Sequence, residues 1–432
     1  MKNEEPTRRR FLKGLSLPVL APGLLAADGL GARSEGEAAR PEGKEGKGYH
    51  QFGRTADHQD LRIIDPGLKI TRIETFTKGR ISVVRVRTDS GASGVGQIAT
   101  YDADISALVL HRRIARHFLG SDPADLETLV DRSLERNLKY PWSFLCRALG
   151  GVETAIWDLY GKLKKKSVCE LLGGEVRPFP VYASSMRRDI NGKDEAERLR
   201  RLMDTKGFRA FKVRAGTVSG RNRDQWPGRS EEVVKAVRAA IGPDTKLLVD
   251  GNSCYTPDKA IEVGRMLESH GVVQFEEPCP YWELEWTAEV TEALDLQVSG
   301  GEQDNDLAQW RRMIEMDSVD IVQPDILYLG GVARTLRVAR MAAQAGKPCV
   351  PHSANVSLVT VFTLHLMGAI PNAGPYVELS IEDRGVAREA MGLYRPSLQV
   401  TDGKVPIPAG PGWGVEVDPD WLATAERTVS EA

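Results

Sequence analysis

The sequence predicts an α/β protein whose main body is a modified (β/α)8 TIM barrel, with a smaller α+β capping domain at its N-terminal side. From Pro180 onward, short apolar strands alternate with amphipathic helices, a pattern typical of parallel sheets. Eight such strands recur at intervals of roughly 25 residues, which favours a closed barrel over an open sheet. The sequence contains no glycine-rich dinucleotide fingerprint that would support the open alternative.

The composition is that of a soluble globular protein, with 41% hydrophobic and 27% charged residues in a chain of 432. The formal net charge of −2 gives no basis for binding nucleic acid or acidic membranes. Five cysteines occur at scattered positions without CxxC spacing, so we expect buried thiols and no disulfide framework. We therefore expect no nucleic-acid partner and no membrane insertion once the signal is removed, and we expect a homo-oligomer.

Residues 1–33 resemble a twin-arginine export signal and are not expected to belong to the fold. Arginines at positions 8–10 precede a mildly apolar stretch at 15–27, which is too short and too interrupted by proline to span a bilayer. This order of residues predicts export of the folded protein to the periplasm. Residues 34–60 are rich in glycine and charge, and they predict a flexible leader.

Residues 61–178 predict the capping domain. Two segments alternate apolar and polar side chains, and the turn Thr77–Arg80 joins them as a hairpin. A second turn leads to a third strand near Gly94 and Gly96, and helical periodicity follows. The predicted elements are strands 70–76 and 81–87 and helices 105–119, 126–134 and 144–164.

Residues 179–385 predict the barrel, and residues 386–432 predict a C-terminal segment that returns to complete the capping domain. The predicted strands are 180–183, 211–213, 247–249, 272–275, 296–299, 321–322, 348–350 and 376–379. The predicted helices include 194–205, 230–241, 257–270, 310–316 and 332–345. Because the carboxyl ends of barrel strands meet at one mouth, we expect the polar residues that follow the strands to converge there.

Three carboxylates follow consecutive barrel strands. Asp250, Glu276 and Glu302 are spaced 26 residues apart, one in each βα unit. A single strand-end carboxylate could simply cap the next helix. Three carboxylates at the same height around the barrel axis repel each other unless a cation neutralises their charge. An oxygen-only ligand set favours Mg²⁺, with Mn²⁺ possible, so the sequence predicts a magnesium site at this mouth.

A histidine and an aspartate follow two later strands. His352 comes 27 residues after Asp325, again one βα unit apart. A carboxylate beside an imidazole fixes its tautomer and raises its basicity, as a general acid/base requires. The alternative is a buried histidine with a purely structural hydrogen bond, but the neighbouring acid favours the catalytic interpretation.

Several short motifs together resemble those of the enolase superfamily. They are Ala155-Ile156-Trp157-Asp158-Leu159 with Gly161-Lys162, Leu171-Leu172-Gly173-Gly174, Val249-Asp250-Gly251-Asn252, Phe275-Glu276-Glu277-Pro278, Gly301-Glu302, Gln323-Pro324-Asp325 with Gly330-Gly331, Pro351-His352-Ser353 and Val377-Glu378. The chain is similar to the mandelate racemase/muconate lactonizing enzyme family over residues 66 to 415, and most similar to its mandelate racemase subgroup. Each motif is weak alone, and together they are specific.

The resemblance implies roles for the residues that follow the strands. It implies that Asp250, Glu276 and Glu302 hold Mg²⁺ and that His352 and Asp325 form the catalytic dyad on one face of the substrate. It implies that Glu378 is the acid that hydrogen-bonds the substrate carboxylate. Among further site residues, the matched positions give Lys212 a catalytic role and give substrate contacts to Arg214, Asn252 and Glu277.

One motif departs from the subgroup. The subgroup carries Lys-x-Lys on the second strand, the second lysine being a base, whereas this chain has Lys212-Val213-Arg214. Arginine stays protonated and is a poor base, so Arg214 is expected to bind a substrate carboxylate or hydroxyl. Lys212 would replace the missing base only if its pKa were depressed.

The departure discriminates among reactions on a small carboxylate substrate. Racemisation needs a base on each face of the α-carbon, whereas β-elimination of water can use one histidine as base and then as acid. We therefore favour a lyase that dehydrates a sugar acid to a 2-keto-3-deoxy acid. A racemase, epimerase or cycloisomerase is the alternative within the same chemistry. A catalytically silent protein that binds metal or sugar acid is the alternative from another class.

Residues around the barrel mouth are expected to determine specificity. The loops Thr77–Arg80 and Ile98–Asp102 would close over the mouth, with Arg80 and Tyr101 as contacts or as ordinary surface residues. Trp226, in an extra loop after the second strand, would cover the substrate or pack on the rim.

Overall fold

A computed structural model describes residues 63–217 and 220–432. The predicted export signal and flexible leader, residues 1–33 and 34–60, lie outside the described residues, so both stay predictions. Within the described ranges, no helix has the length and apolar character needed to cross a membrane.

The capping domain is built on a four-stranded antiparallel sheet. Its first three strands are consecutive, β1 (Ile70–Lys78), β2 (Ile81–Thr88) and β3 (Ser93–Ile98). The fourth, β14 (Glu426–Glu431), comes from the C-terminus and pairs with β1. The C-terminal segment therefore returns to the capping domain, where it covers an edge that would otherwise be unpaired.

Five α-helices follow β3, and the first and fourth of them pack against the sheet. They are α1 (Ala103–Val109), α2 (Ala115–Phe118), α3 (Leu126–Glu135), α4 (Trp142–Lys164) and α5 (Val168–Leu171). The helix predicted at 105–119 is interrupted by a π-helical turn at Leu110–Ile114, so it is not one continuous α-helix. The long helix α4 buries nearly every residue from Leu145 to Gly161, because it lies between the capping sheet and the barrel.

Seven parallel strands and one parallel bridging residue form the barrel wall. The named strands are β4 (Pro178–Ser184), β5 (Ala210–Arg214), β6 (Lys246–Asp250), β7 (Gln274–Glu276), β8 (Gln297–Gly300), β9 (Ile321–Val322) and β10 (Val377–Ser380). Their order in the sheet is β10-β4-β5-β6-β7-β8-β9. The strand predicted at 348–350 is reduced to Cys349, which bridges Val322 on one side and Ala373 on the other. These bridges link β9 to the segment that precedes β10.

Helices surround the barrel and separate successive strands. They are α6 (Gly192–Lys206), α7 (Arg229–Ile241), α8 (Pro257–Ser269), α9 (Leu284–Ala293), α10 (Leu307–Glu315), α11 (Ile326–Leu329), α12 (Val332–Gln344) and α13 (Leu358–Met367). Side chains cap several of them, as when Asn191 accepts a hydrogen bond from the Asp194 N–H at the start of α6. Because the helices connect parallel strands, the carboxyl ends of these strands all lie at one mouth of the barrel.

The segment after β10 crosses from the barrel to the capping domain. It contains α14 (Val386–Glu389), β11 (Tyr394–Arg395), β12 (Lys404–Pro406), β13 (Glu416–Val417) and α15 (Pro419–Ala423). β12 pairs antiparallel with β4 at the barrel wall, and β11 pairs with β13. Near α14, Glu389 accepts hydrogen bonds from the backbone and guanidinium of Arg80, in the β1–β2 turn. These contacts hold the capping domain over the barrel mouth.

Candidate active site

His352 and Asp325 form a hydrogen-bonded pair at the barrel mouth. The imidazole Nδ1 lies 2.8 Å from Asp325 Oδ2, and both side chains are buried. The other oxygen of Asp325, Oδ1, accepts hydrogen bonds from the N–H groups of Leu327 and Tyr328 and caps α11. Asp325 therefore both caps α11 and orients His352. Because the backbone holds its carboxylate in place, the hydrogen bond to Nδ1 also fixes the orientation of the imidazole.

The second ring nitrogen of His352 points toward another carboxylate. Nε2 lies 3.0 Å from Glu302 Oε2, and 3.9 Å from Glu378 Oε2. Burial by itself would lower the pKa of His352, but Glu302, Asp325 and Glu378 outweigh it and raise that pKa well above its usual value. The pair thus has the geometry of an acid/base group that can hold a proton firmly.

Lys212 lies beneath the mouth between two carboxylates. Its Nζ is 2.6 Å from Glu276 Oε1 and 2.7 Å from Glu378 Oε1, and the side chain is wholly buried. Burial would lower the pKa of Lys212, but Glu276 and Glu378 raise it well above its usual value. The condition under which Lys212 would serve as a base, a depressed pKa, is therefore not met.

Glu378 is an ionised partner of Lys212. Ser184 Oγ donates to its Oε1 at 2.7 Å, and the Ser353 N–H donates to its Oε2 at 3.0 Å. Burial favours the neutral form, but Lys212 and His352 together hold the pKa of Glu378 well below its usual range. In this arrangement Glu378 accepts hydrogen bonds, and its role as the acid that hydrogen-bonds the substrate carboxylate stays a prediction.

The three predicted metal ligands stand side by side, and each accepts a hydrogen bond from another side chain of the protein. Asp250 and Glu276 are partners in the register of β6 and β7, and Glu302 follows β8. An Asp250 oxygen accepts from Arg214, Glu276 from Lys212, and Glu302 from the side chain of Gln303. Among the described residues, no three His, Cys, Asp or Glu side chains already converge as a metal-binding group.

The chemistry of this donor set fits a hard divalent cation. Burial, together with the carboxylates of Asp250, Glu378 and Glu302, raises the pKa of Glu276 to about 8, even though Lys212 opposes the shift. Beside it, the buried Oε1 of Glu277 has no hydrogen-bond partner. An excess of buried carboxyl oxygens over nearby cations is the arrangement that Mg²⁺ stabilises.

Arg214 is held against the proposed metal site rather than standing free. Its Nη1 donates to Asp250 Oδ2 and, at 2.7 Å, to Asn252 Oδ1. Burial would lower the pKa of Arg214, but Asp250 raises it further above its usual value. Arg214 is therefore a fixed cation and no proton acceptor.

A cavity of about 580 Å³ opens above these residues. His352, Glu302, Glu277, Arg214 and Asn252 lie in its wall, whereas Lys212, Asp250, Glu276, Asp325 and Glu378 lie beneath or behind it. Arg80 and Tyr101 reach the wall from the capping domain, where the sequence predicted contacts. Trp226 does not line this cavity, and its indole instead donates to Glu232 on α7.

Sequence reasoning missed several residues that build the site. Gln323 donates to Glu276 Oε2 at 2.9 Å, and the Tyr328 ring lies beside the imidazole of His352, with 5.9 Å between centroids. Arg188, after β4, lines the cavity and donates to Asn252. The flanking positions of Gln323 and Tyr328 around Asp325 could have indicated them, whereas Arg188 lies in a loop where no spacing marked it.

Comparison with family models agrees with this architecture. Residues 59–173 match the mandelate racemase/muconate lactonizing enzyme N-terminal domain, and residues 194–421 match the enolase C-terminal domain-like model. The chain belongs to the mandelate racemase/muconate lactonizing enzyme family of the enolase superfamily. The fold prediction, a modified TIM barrel with a capping domain, is confirmed, and so is the predicted family.

Similar proteins of this family are enzymes. Arabinonate dehydratase of Saccharolobus solfataricus is 28% identical over 78% of this chain and 88% of its own. D-galactarolactone cycloisomerase of Agrobacterium fabrum is 31% identical over 79% of this chain and 89% of its own. The prediction that this chain is an enzyme is therefore confirmed, with a lyase as the first class and an isomerase as the second.

Solved structures share the whole fold. A structure from Roseobacter denitrificans, described as a candidate racemase, is 57% identical, with a TM-score of 0.83 over 84% of this chain and 100% of that one. A mandelate racemase/muconate lactonizing protein from Paracoccus denitrificans, complexed with magnesium, is 28% identical, with a TM-score of 0.76 over 85% of this chain and 99% of that one.

Proposed function

We propose that this enzyme dehydrates a sugar acid to a 2-keto-3-deoxy acid, with Mg²⁺ as its cofactor. The observation that carries the proposal is the His352–Asp325 pair, whose imidazole lies in the cavity wall, with no second free base opposite it at the end of β5. There, Arg214 is bound to Asp250 and stays protonated. The arabinonate dehydratase relative supports the same reaction class.

Asp250, Glu276 and Glu302 would hold the magnesium ion, or a manganese ion in its place. A divalent cation at these oxygens would stabilise the second negative charge that develops on the substrate carboxylate when its α-proton leaves. Lys212 and Arg214, fixed beside the same carboxylates, add positive charge to this side of the cavity. The metal ion, Lys212 and Arg214 together would make the loss of a weakly acidic proton feasible.

His352 moves the protons in the proposed reaction. With Glu302 bound to a cation, Nε2 would be free to accept the α-proton, while Asp325 accepts a hydrogen bond from Nδ1–H and stabilises the imidazolium. The imidazolium then returns a proton to the hydroxyl at the β-carbon, which leaves as water when its C–O bond breaks. The resulting enol becomes the 2-keto-3-deoxy acid, so one histidine suffices for both transfers.

An isomerase is the second candidate function. The cycloisomerase relative is 31% identical, and cycloisomerisation also begins with loss of the α-proton. Racemisation or epimerisation would need a second base, which Arg214 does not provide. A silent binding protein remains the alternative outside catalysis, and the His352–Asp325 geometry argues against it, because binding alone requires no oriented acid/base pair.

The test is incubation of the protein with Mg²⁺ and a panel of sugar acids in D₂O. We expect a 2-keto product that semicarbazide traps, with deuterium from solvent at C3. Inverted substrate carrying deuterium at C2, without a keto product, would replace the dehydratase by a racemase or epimerase. Binding without exchange of the α-proton across the panel would exclude catalysis.

We propose, separately, that residues 1–33 direct export to the periplasm. The support is the order of the arginine run and the apolar stretch in the sequence. A fusion of this segment to a reporter that is active only after export tests it. Replacing the arginines at 8–10 by lysines should retain the reporter inside the cell, and unchanged export would refute the twin-arginine route.

A further inference from the structure

Arg188 is a cation at the cavity wall without an acidic partner. Its Nε donates to the Gly216 carbonyl at 3.1 Å, and its Nη2 donates to Asn252 Oδ1 at 2.6 Å. No hydrogen bond or ion pair to a described residue uses its Nη1. Both hydrogen-bond partners of Arg188 are neutral oxygens, so neither of them balances the positive charge of its guanidinium.

The other arginines that line this cavity are already paired. Arg80 binds Glu389, Arg384 binds Asp189, and Arg214 binds Asp250. Burial and the nearby guanidinium of Arg214 lower the pKa of Arg188 to about 10, which still leaves it charged at neutral pH. Arg188 therefore differs from its neighbours in having positive charge around it and no carboxylate in contact.

The position of Arg188 ties it to the reaction centre. Asn252 Oδ1 accepts hydrogen bonds from both Arg188 and Arg214, and the Asn252 N–H donates to Asp250 Oδ1 at 2.7 Å. Arg188 is thus connected to the proposed metal ligand Asp250 through a single residue, Asn252, and it lies in the wall of the same cavity. A substrate whose reacting carboxylate is held at the metal could reach Arg188 with its opposite end.

We propose that Arg188 binds a second carboxylate of the substrate, so that the enzyme prefers sugar diacids to sugar monoacids. This inference rests on the proposed function, because it places the reacting carboxylate at Asp250, Glu276 and Glu302. A guanidinium matches a carboxylate in shape and charge. A singly charged carboxylate suits the site better than a doubly charged phosphate, because the carboxylates of Glu302 and Glu382 line the same cavity and repel excess negative charge.

The first test compares diacid and monoacid of the same configuration: galactarate with galactonate, and glucarate with gluconate, each with Mg²⁺. For the sugar configuration that the enzyme turns over, we expect kcat/KM to be higher for the diacid than for the monoacid. Arg188→Gln should lower kcat/KM for the diacid by about 10- to 100-fold and change that for the monoacid by about twofold at most. Arg188→Lys, which keeps the charge, should retain part of the preference.

Arg187→Gln is the matched control. Arg187 is the preceding residue, pairs with Asp189 and does not line the cavity, so this variant should keep the wild-type preference. Thermal unfolding of each variant separates loss of binding from loss of folding. An equal loss of kcat/KM on monoacid and diacid, or no loss in Arg188→Gln, would overturn the inference while leaving the dehydratase proposal intact.

A binding measurement keeps the two proposals distinguishable. In His352→Asn, which should bind without turnover, calorimetry should show tighter binding of the diacid than of the monoacid, and adding Arg188→Gln should remove the difference. That result supports the inference even if the wild type turns over no acid of the panel, an outcome that would refute the proposed function. Tighter binding of 6-phosphogluconate than of either diacid would overturn the inference and assign Arg188 to a phosphate.

Discussion

At the scale of single residues, the imidazole of His352 is positioned by a carboxylate that is itself immobilised. Asp325 receives two backbone N–H groups on one oxygen and faces the histidine with the other. The tautomer with a proton on Nδ1 is therefore favoured, and Nε2 is left to exchange protons at the cavity. The roles of the two residues follow from this chain of hydrogen bonds.

Removing the acid/base group should abolish turnover and preserve binding. His352→Asn should lower kcat by about a thousandfold or more, because no other residue takes the α-proton, and Asp325→Asn should lower it by about a hundredfold. Stopped assays of keto-acid formation and calorimetric Kd values measure the two effects. A His352→Asn enzyme that still exchanges the α-proton at the wild-type rate would show that another residue is the base.

Magnesium should stabilise the folded protein through the same carboxylates. At a concentration about a hundredfold above its Kd, a bound ion adds about 2.7 kcal/mol to the free energy of unfolding. We expect Mg²⁺ to raise Tm in the wild type and to have little effect in Glu276→Gln or Glu302→Gln. Glu389→Gln, at the Arg80 contact on the rim, should keep the wild-type shift. An equal shift in all four proteins would place the metal elsewhere.

At the scale of elements, the close packing of β3 against α4 requires glycine at two positions of the strand, Gly94 and Gly96. A Cβ at Gly94 would collide with the backbone of Ala155 and Leu159, and one at Gly96 would collide with the backbone of Gly151 and Ala155. Between them, the Val95 N–H donates to Asp158 at 2.8 Å. Strand and helix are thus in contact at backbone distance, and this contact anchors the capping domain.

Adding a methyl group there should separate the two elements. Gly94→Ala should lower the free energy of unfolding by about 3 kcal/mol, since backbone atoms of α4 cannot yield as a side chain can. Ser93→Ala, next to it in β3, should change that free energy by about 0.5 kcal/mol at most. Denaturant titration of both variants gives the comparison, and equal losses would mean that α4 shifts freely.

The sequence predicted these elements unevenly. The first two strands of the capping sheet were predicted close to their bounds because one face is buried and the polar alternation is clear, and the third was placed near Gly94 and Gly96 without bounds. The strand expected at 348–350 is a single bridging residue, Cys349, because closure of the barrel, and not local propensity, decides its length. The pairing of β14 with β1 joins residues far apart in the sequence, such as Glu74 and Val429, and no local pattern specifies its register.

At the scale of the whole molecule, His365 joins three parts of the chain. Its Nδ1 accepts from the Cys169 N–H at 3.1 Å, and its Nε2 donates to the Trp413 carbonyl at 2.9 Å. The helix α13, the end of the capping domain and the C-terminal segment thus meet at one buried neutral imidazole. Burial lowers the pKa of His365 to about 4.

This histidine should make the protein sensitive to acid. Because the folded-state pKa is below the ordinary value of 6.5, the unfolded chain binds the proton more tightly, and stability falls as pH falls from 6.5 to 4. The loss over this window should be roughly 3 kcal/mol greater in the wild type than in His365→Gln. Phe362→Leu, which trims the ring beside Trp413, should lower stability equally at each pH. Parallel curves for wild type and His365→Gln would contradict the assignment.

The sequence by itself determined the alternation of strands and helices and the spacing of Asp250, Glu276, Glu302, Asp325 and His352, because hydrophobic periodicity and one polar residue per βα unit are local properties. Only the tertiary structure decided what these residues bind. It set Lys212 between Glu276 and Glu378 with a raised pKa, bound Arg214 to Asp250, and left Arg188 unpaired in the cavity wall. Charges and hydrogen-bond partners depend on which loops meet at the mouth, and that is a property of the closed barrel.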